Sequence, residues 1–258
     1  MLNSEESWLE GVISIEAALE ANSREIGVIY MNKNRFASKR RRKRDLPLHR
    51  LKKQAEDATI SVNLVDGAFI AERTSGQSHG GAIAQVGGRR FIEMGALIEG
   101  VKRPFIVMLD GIEDPFNFGQ SVRALYAAGV HGVVVRPRNW TSAASVVARA
   151  SAGASERMPM AVVETAEAAA EFYRERGLAV ACTALDGATS IYDANLLQPL
   201  FLLLGGEKRG ITRSFLNQAE LRLAIPYKRP FNHSLGTVAS TSAIAFEWLR
   251  QRHLILPR

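Results

Sequence analysis

Apolar positions follow two rhythms along this chain. From residue 105 onward, continuous apolar runs at Phe105–Leu109, Gly132–Val135, Met160–Val163, Leu178–Ala184, Leu200–Leu204 and Leu221–Ile225 read as strands. Between them, Asn117–Ala128, Ser142–Ala152, Glu164–Arg176 and Val238–Arg252 read as helices. Uninterrupted apolar runs suit strands buried on both faces. Regular alternation with helices therefore predicts an α/β fold, a parallel sheet with helices on both faces. The first hundred residues are patterned differently. Leu9, Val12, Ile13, Ala17 and Leu19 suggest the apolar face of a helix over Glu5–Ala21. Strands are expected at Ile26–Met31, Ile60–Val65 and Ala82–Val86, a helix at Leu48–Ala58, and a turn over Gly76–Gly81. Phe91–Gly100 reads as a short helix or a linker. The expected division is a small α/β domain over residues 1–98 and a larger one over 99–258.

Of 258 residues, 47% are apolar and 23% charged, enough for a buried core in either domain. No apolar run reaches the roughly 18 residues of a membrane span. The first 25 residues, with Glu5, Glu6, Glu10, Glu16 and Glu20, do not resemble a signal peptide. Cys182 stands alone, so neither an internal disulfide nor a cysteine zinc site is expected, and its apolar surroundings make it a small core residue. Together these readings predict a cytoplasmic protein with no membrane or metal partner.

The formal charge of +7 adds an anionic partner to that expectation. Its sharpest feature is local: Lys39, Arg40, Arg41, Arg42, Lys43 and Arg44 are consecutive, with Lys33, Arg35, Arg50, Lys52 and Lys53 nearby. A charge run is often only a solvated loop, but six adjacent cations repel one another unless phosphates neutralise them. RNA or DNA is accordingly the leading partner class.

Ligands of parallel sheets bind beyond the carboxyl ends of the strands, which directs attention to three loops. The first runs Asp110-Gly-Ile-Glu-Asp-Pro-Phe-Asn-Phe-Gly-Gln-Ser-Val-Arg123. Asp114 is a candidate helix cap and Pro115 fits the first turn, where its missing N–H costs nothing. Asn117 and Arg123 lie about 240° apart around a helix, so Asn117 is placed in the turn entering it. Arg123 has apolar neighbours and needs a partner, for which a carboxylate such as Glu207 is one candidate. The second loop, Leu204-Gly205-Gly206-Glu207, has glycines that allow close backbone approach. The third, Ile225-Pro-Tyr-Lys-Arg-Pro-Phe-Asn-His-Ser-Leu-Gly236, is basic and leads into the last helix. Its His233 reads first as a surface or capping residue. No dinucleotide fingerprint, phosphate loop or metal-ligand spacing is present.

In order, these loops resemble the three motifs of the SpoU (TrmH-type) branch of the SPOUT methyltransferases. Asp114-Pro-Phe-Asn117-Phe-Gly119…Arg123 resembles the first, Leu204-Gly205-Gly206-Glu207…Gly210 the second, and Ile225-Pro226…Ser234-Leu235 with Glu247…Arg250-Gln251-Arg252 the third. Ala150-Ser-Ala-Gly-Ala154 is also similar to the family, and the likeness covers about residues 101–252. The resemblance implies a C-terminal deep trefoil knot, S-adenosylmethionine bent within it and held largely by backbone groups, and a homodimer with the site at its interface. By position it assigns cofactor contacts to Gly205, Ile225 and Leu235, with Leu204 and Ser234 nearby. The positions matching the catalytic set are Asn117, Arg123, Glu207 and Ser234. Two positions depart from the pattern: Gly206 replaces a frequent Asn or Ala, and Gly236 replaces an Asn. Either Asn232 or Thr237 substitutes for that Asn, or activity is altered.

The first hundred residues resemble the ribosomal-protein-like RNA substrate-binding domain preceding many such catalytic domains, with Ser78-His79-Gly80-Gly81-Ala82 similar to its closing segment. The implied activity is methyl transfer from S-adenosylmethionine to a ribose 2′-hydroxyl in structured RNA. Ribosomal RNA is favoured because relatives with this front domain mostly act there, whereas tRNA-specific relatives often lack it. A tRNA 2′-O-methyltransferase, or a non-catalytic RNA-binding or ribosome-assembly protein retaining the fold, are the alternatives. Lys39–Arg44 would grip RNA phosphates.

Overall fold

The computed structural model describes residues 7–36, 43–74, 79–137, 143–206 and 210–253. In chain order the first elements are β1 (Ser7–Glu10), α1 (Val12–Ala21), β2 (Arg24–Asn32), α2 (Leu46–Asp57), β3 (Ser61–Val65), α3 (Gly67–Ala71) and β4 (Ala82–Arg89). Next come β5 (Phe105–Asp110), α4 (Pro115–Ala128), β6 (Gly132–Val135), α5 (Ala144–Ala150), α6 (Ala154–Arg157) and β7 (Met160–Val162). The chain continues with α7 (Ala166–Arg174), β8 (Ala179–Thr183), β9 (Thr189–Ser190), β10 (Leu200–Gly205), α8 (Arg213–Gln218), β11 (Leu221–Ala224) and α9 (Thr237–His253). Packing divides them into two units, residues 1–90 with 139–157, and residues 91–138 with 158–258. The excursion 139–157, which the sequence pattern groups with the second half, packs with the first.

In the first unit four strands order as β1-β4-β2-β3, with β4 antiparallel to both neighbours and β2 parallel to β3. Leu9, Ile29, Met31, Ala84 and Val86 of the sheet pack against Ile15 of α1, Leu51 of α2 and Ala148 of α5. The helix expected over Glu5–Ala21 is shorter, because Gly11 takes φ 93 and breaks it. A positive φ of that kind favours glycine. Residues 7–10 instead pair with β4, setting Leu9 opposite Ala84. One apolar position serves a strand as well as a helix, which is why the pattern misled. Likewise the helix expected over Ser142–Ala152 ends at Ala150, and Ala152 (φ 51) and Gly153 (φ 80) turn the chain into α6.

That turn delivers Glu156 into the first unit. Its carboxylate accepts from Ser23 Oγ at 2.6 Å and Arg24 Nε at 2.9 Å, and Arg89 lies 3.5 Å away. Glu156 is 2% exposed and Arg24 8%. Burial pushes the carboxyl pKa upward, but the two guanidiniums and Ser23 outweigh it and hold the group below the usual carboxylate range. Burial, more than Glu156 can offset, pulls the Arg89 guanidinium down to about 10. Arg149 of α5 makes a further ion pair to Glu10 at 2.9 Å.

The second unit is a seven-stranded, wholly parallel sheet in the order β7-β6-β5-β10-β8-β11-β9. All of β6 and the first five residues of β5 and β10 are buried, as their apolar runs require. Alternate residues serve opposite faces. Ile106, Met108, Phe201 and Leu203 meet Ala169 and Tyr173 of α7 and Phe215 of α8. On the other face the Trp248 ring of α9 lies 5.1 Å from that of Phe105, and α4 packs beside α9. The α/β class with helices on both faces is therefore present. Cys182 is fully buried in the core, and burial pushes its thiol up to about 11, which makes it unreactive. The short α8 went unforeseen, although Thr212 caps it by accepting from the Phe215 N–H. No described helix is long and apolar enough to cross a membrane.

Candidate functional site

Because the strands of the second unit are parallel, the loops after β5, β10 and β11 leave the same edge of the sheet. The first loop starts at Asp110, which is paired with Arg136 beyond β6 at 2.8 Å. Asp114 then caps α4, accepting from the Asn117 N–H at 2.9 Å and the Phe116 N–H at 3.3 Å, with Pro115 in the first turn. Asn117 thus sits within that first helical turn, half-buried. The buried stripe of α4 is Phe118, Ser121, Val122, Leu125 and Ala128. Arg123 falls off this stripe, so the expectation that apolar neighbours surround it is corrected, while its candidate partner Glu207 lies outside the described residues. Arg123 is exposed and has no ion pair among the described residues.

The second loop touches the first. Gly205 is level with Asp110 in the sheet. A Cβ on Gly206 would stand 2.0 Å from the Gly111 carbonyl oxygen and 2.4 Å from its carbon, a gap that admits only glycine. The Gly206 carbonyl accepts from the Gly210 N–H at 3.1 Å, turning the loop back on itself. Glu207 lies outside the described residues. Overpacking of this kind costs about 1–3 kcal/mol, and here the opposing atoms are main chain, which yields little. Gly206→Ala is therefore expected to lower the unfolding midpoint in urea and to displace the Gly111 turn.

The third loop begins at Ile225, which is half-buried. It closes when the Leu235 N–H donates to the Tyr227 hydroxyl at 3.0 Å. Ser234 is exposed, Leu235 half-buried, and Thr237 buried at the start of α9. The sequence pattern does not single out Tyr227. Its role is a hydroxyl-to-amide contact eight residues away, which no local spacing announces.

Register shows where a ligand would fit. Pairing of β8 with β10 stops at Cys182–Leu203, while β10 runs on through Leu204 and Gly205. On the other side β8 pairs with β11 as far as Thr183–Leu223, and the Ala184 N–H donates to the Leu223 carbonyl. Leu204–Gly205 and Ile225 therefore lie beyond the last paired residues of β8, on either side of it at the carboxyl edge. Strand-end main-chain groups and the apolar side chains of Ile225 and Leu235 suit a flat ligand with hydrogen-bonding edges. The Leu235 N–H is already engaged by Tyr227, so this residue offers its side chain rather than that donor. Among the described residues no group of three His, Cys, Asp or Glu could hold a metal ion.

The structure brings loops one and two into contact and packs the helices that follow loops one and three against each other. No hydrogen bond joins Asn117, Arg123 and Ser234 among the described residues. Of the basic run, Lys39, Arg40, Arg41 and Arg42 lie outside the described residues, as does the Arg44 side chain, while Lys43 is exposed. Four flanking cations are neutralised: Lys33 by Asp66, Arg35 by Asp45, Arg50 by Glu16 and Lys52 by Glu56.

Residues 104–246 match the family model described as the SpoU rRNA Methylase family. The 23S rRNA (guanosine-2′-O-)-methyltransferase RlmB of Yersinia pestis is 28% identical over 248 residues, covering 95% of this chain and 97% of the relative. The enzyme of the same name from Photorhabdus laumondii is 30% identical over 246 residues, covering 94% and 97%. The crystal structure of the SpoU methyltransferase AviRb from Streptomyces viridochromogenes with AdoMet is similar in fold, with a TM-score of 0.77 and 20% identity. It covers 96% of this chain and 91% of that one.

Proposed function

The chain belongs to the SpoU rRNA methylase family, and from that membership we propose that it methylates ribose 2′-hydroxyls of ribosomal RNA, with S-adenosylmethionine as donor. The observation that carries this reading is the meeting of two of the motif loops at the carboxyl edge of the sheet, where Gly206 approaches Gly111 too closely for any side chain, with Leu204, Gly205 and Ile225 at the ends of their strands beside β8. Main-chain edges and apolar walls fit an adenosine-like donor. The full-length likeness to enzymes named for 23S rRNA guanosine-2′-O-methylation favours ribosomal RNA over tRNA.

S-adenosylmethionine, when bound, supplies a methyl group already activated on a sulfonium. The chain must chiefly align the ribose with it and draw off a proton. A guanidinium keeps its charge and cannot accept a proton in this range, so Arg123 acts as a donor that holds the hydroxyl or an adjacent phosphate. Asn117, fixed by the Asp114 cap, orients that nucleotide, and Glu207 and Ser234 complete the set. The C-terminal knot and a homodimer belong to the proposal. Exposed Tyr126 on α4 and Phe246 on α9 support the dimer, because large apolar side chains in water mark contact surfaces. The site of action is the cytoplasm.

The first unit binds RNA phosphates through Lys39–Arg44. Changing these six residues to glutamine is expected to weaken RNA binding. The salt dependence should also flatten, by about 0.7–0.9 in log–log slope for each phosphate that is no longer neutralised. An unaltered slope would mark the run as bystander charge. Calorimetry with S-adenosylmethionine, followed by labelled methyl transfer to bulk RNA, tests the activity itself. Gly236 favours a second reading, a protein that binds RNA without catalysis, and this reading predicts neither donor binding nor transfer.

A further inference from the structure

The loop that carries Ser234 and Leu235 also carries aromatic rings that no core requires. Tyr227 and Phe231 lie 5.9 Å apart between centroids, and Phe231 and His233 5.5 Å apart, both in edge-on contact. Phe231 is 54% exposed and Tyr227 37%. Lys228 and Arg229 between them are exposed and have no ion pair among the described residues. A loop that leaves a phenylalanine in water forgoes its burial free energy. Here the Leu235 N–H, donating to the Tyr227 hydroxyl, ties the first ring of the row to the residue proposed to contact the donor.

Rings interleaved with exposed cations match one ligand chemistry, a single-stranded polyanion with flat apolar faces. Unstacked bases lie on aromatic side chains while cations follow the backbone. We propose that Phe231, backed by Tyr227 and His233, stacks an unpaired nucleobase next to the ribose being methylated, with Lys228 and Arg229 on the flanking phosphates. The stack makes Phe231 a positioning residue, because a base held against this loop brings its own sugar toward Ser234 and Leu235 of the same loop. The proposal rests on RNA being the substrate.

The test compares Phe231→Ala, Phe231→Leu and Phe231→Trp in the full chain. Measurements are methyl transfer to ribosomal RNA, equilibrium binding of a short unstructured RNA, and S-adenosylmethionine affinity. Base–aromatic stacking sets the expected loss in kcat/KM and RNA affinity at about tenfold to a hundredfold for Phe231→Ala. Phe231→Leu should lose nearly as much, since it keeps bulk but not the ring, and Phe231→Trp should recover most of it. Donor affinity should not change. A fully active Phe231→Leu, or donor affinity falling in step with RNA affinity, would overturn the stack, the ring then serving only to shape the loop. If the wild type transfers no methyl group, the enzymatic reading fails, and RNA binding by the same variants still decides the stack.

Discussion

Arg123→Ala is expected to reduce kcat for methyl transfer by about two to three orders of magnitude, the range for removing one positioned electrostatic donor. Arg123 stands on the exposed side of α4, about two and a half turns beyond the Asp114 cap, with no neutralising carboxylate among the described residues. A guanidinium exposed on that face of the helix is open to a ligand's phosphate or hydroxyl oxygen. It lies outside the buried stripe of the helix, so truncation should leave the unfolding midpoint and S-adenosylmethionine affinity nearly unchanged. Arg123→Lys should recover only part of the rate, because a point charge cannot reproduce a fork of fixed donors. Single-turnover transfer to ribosomal RNA at saturating donor reads this directly. A wild-type rate in the alanine variant would remove Arg123 from catalysis.

Glu156→Gln is expected to destabilise the first unit by about 3–5 kcal/mol, the usual consequence of taking one partner from a buried ion pair. Two guanidiniums would be left facing an amide that accepts less and carries no charge. Removing Arg24 as well should return part of the loss, because it relieves one of the uncompensated charges. The pH dependence has a definite sign. The folded carboxyl is held below its usual range, so its contribution is complete above the ordinary unfolded carboxylate value of about 4.3. The contribution disappears as pH falls through the lower folded value. Urea midpoints of wild type and variant should therefore differ most near neutrality and converge in acid. A constant gap down to strongly acidic pH would show that Glu156 acts through packing and not through charge.

The core of the second unit was legible because its residues have only one way to be satisfied. Phe105–Leu109 and Leu200–Leu204 are apolar throughout, and both became central strands buried on both faces. Asp114 and Pro115 likewise announced a helix start by local chemistry alone, and the cap is made. The first unit was harder to read. Leu9 fits a helix and a strand equally, and only Gly11, with φ 93, separates β1 from α1. The assignment of 139–157 to the first unit was hidden for another reason. Glu156 in sequence is an ordinary surface-like glutamate, and its partners Ser23, Arg24 and Arg89 are 67 to 133 residues away. Within the site, the glycines at the end of β10 were readable as a place of close approach, but the partner, Gly111, was not. The exposure of Arg123 is hidden in the sequence because its immediate neighbours are apolar. The stripe at 118, 121, 122, 125 and 128 passes it by.

The most direct test is to incubate ribosomal RNA from cells lacking this protein with the pure chain and S-adenosylmethionine, and then hydrolyse it in alkali. A ribose 2′-O-methyl group blocks cleavage of the adjoining phosphodiester, so a specific alkali-resistant dinucleotide carrying the transferred methyl is the expected result. Methyl label appearing only on bases, or none transferred while the donor fails to bind, would contradict the assignment of these loops to ribose methylation.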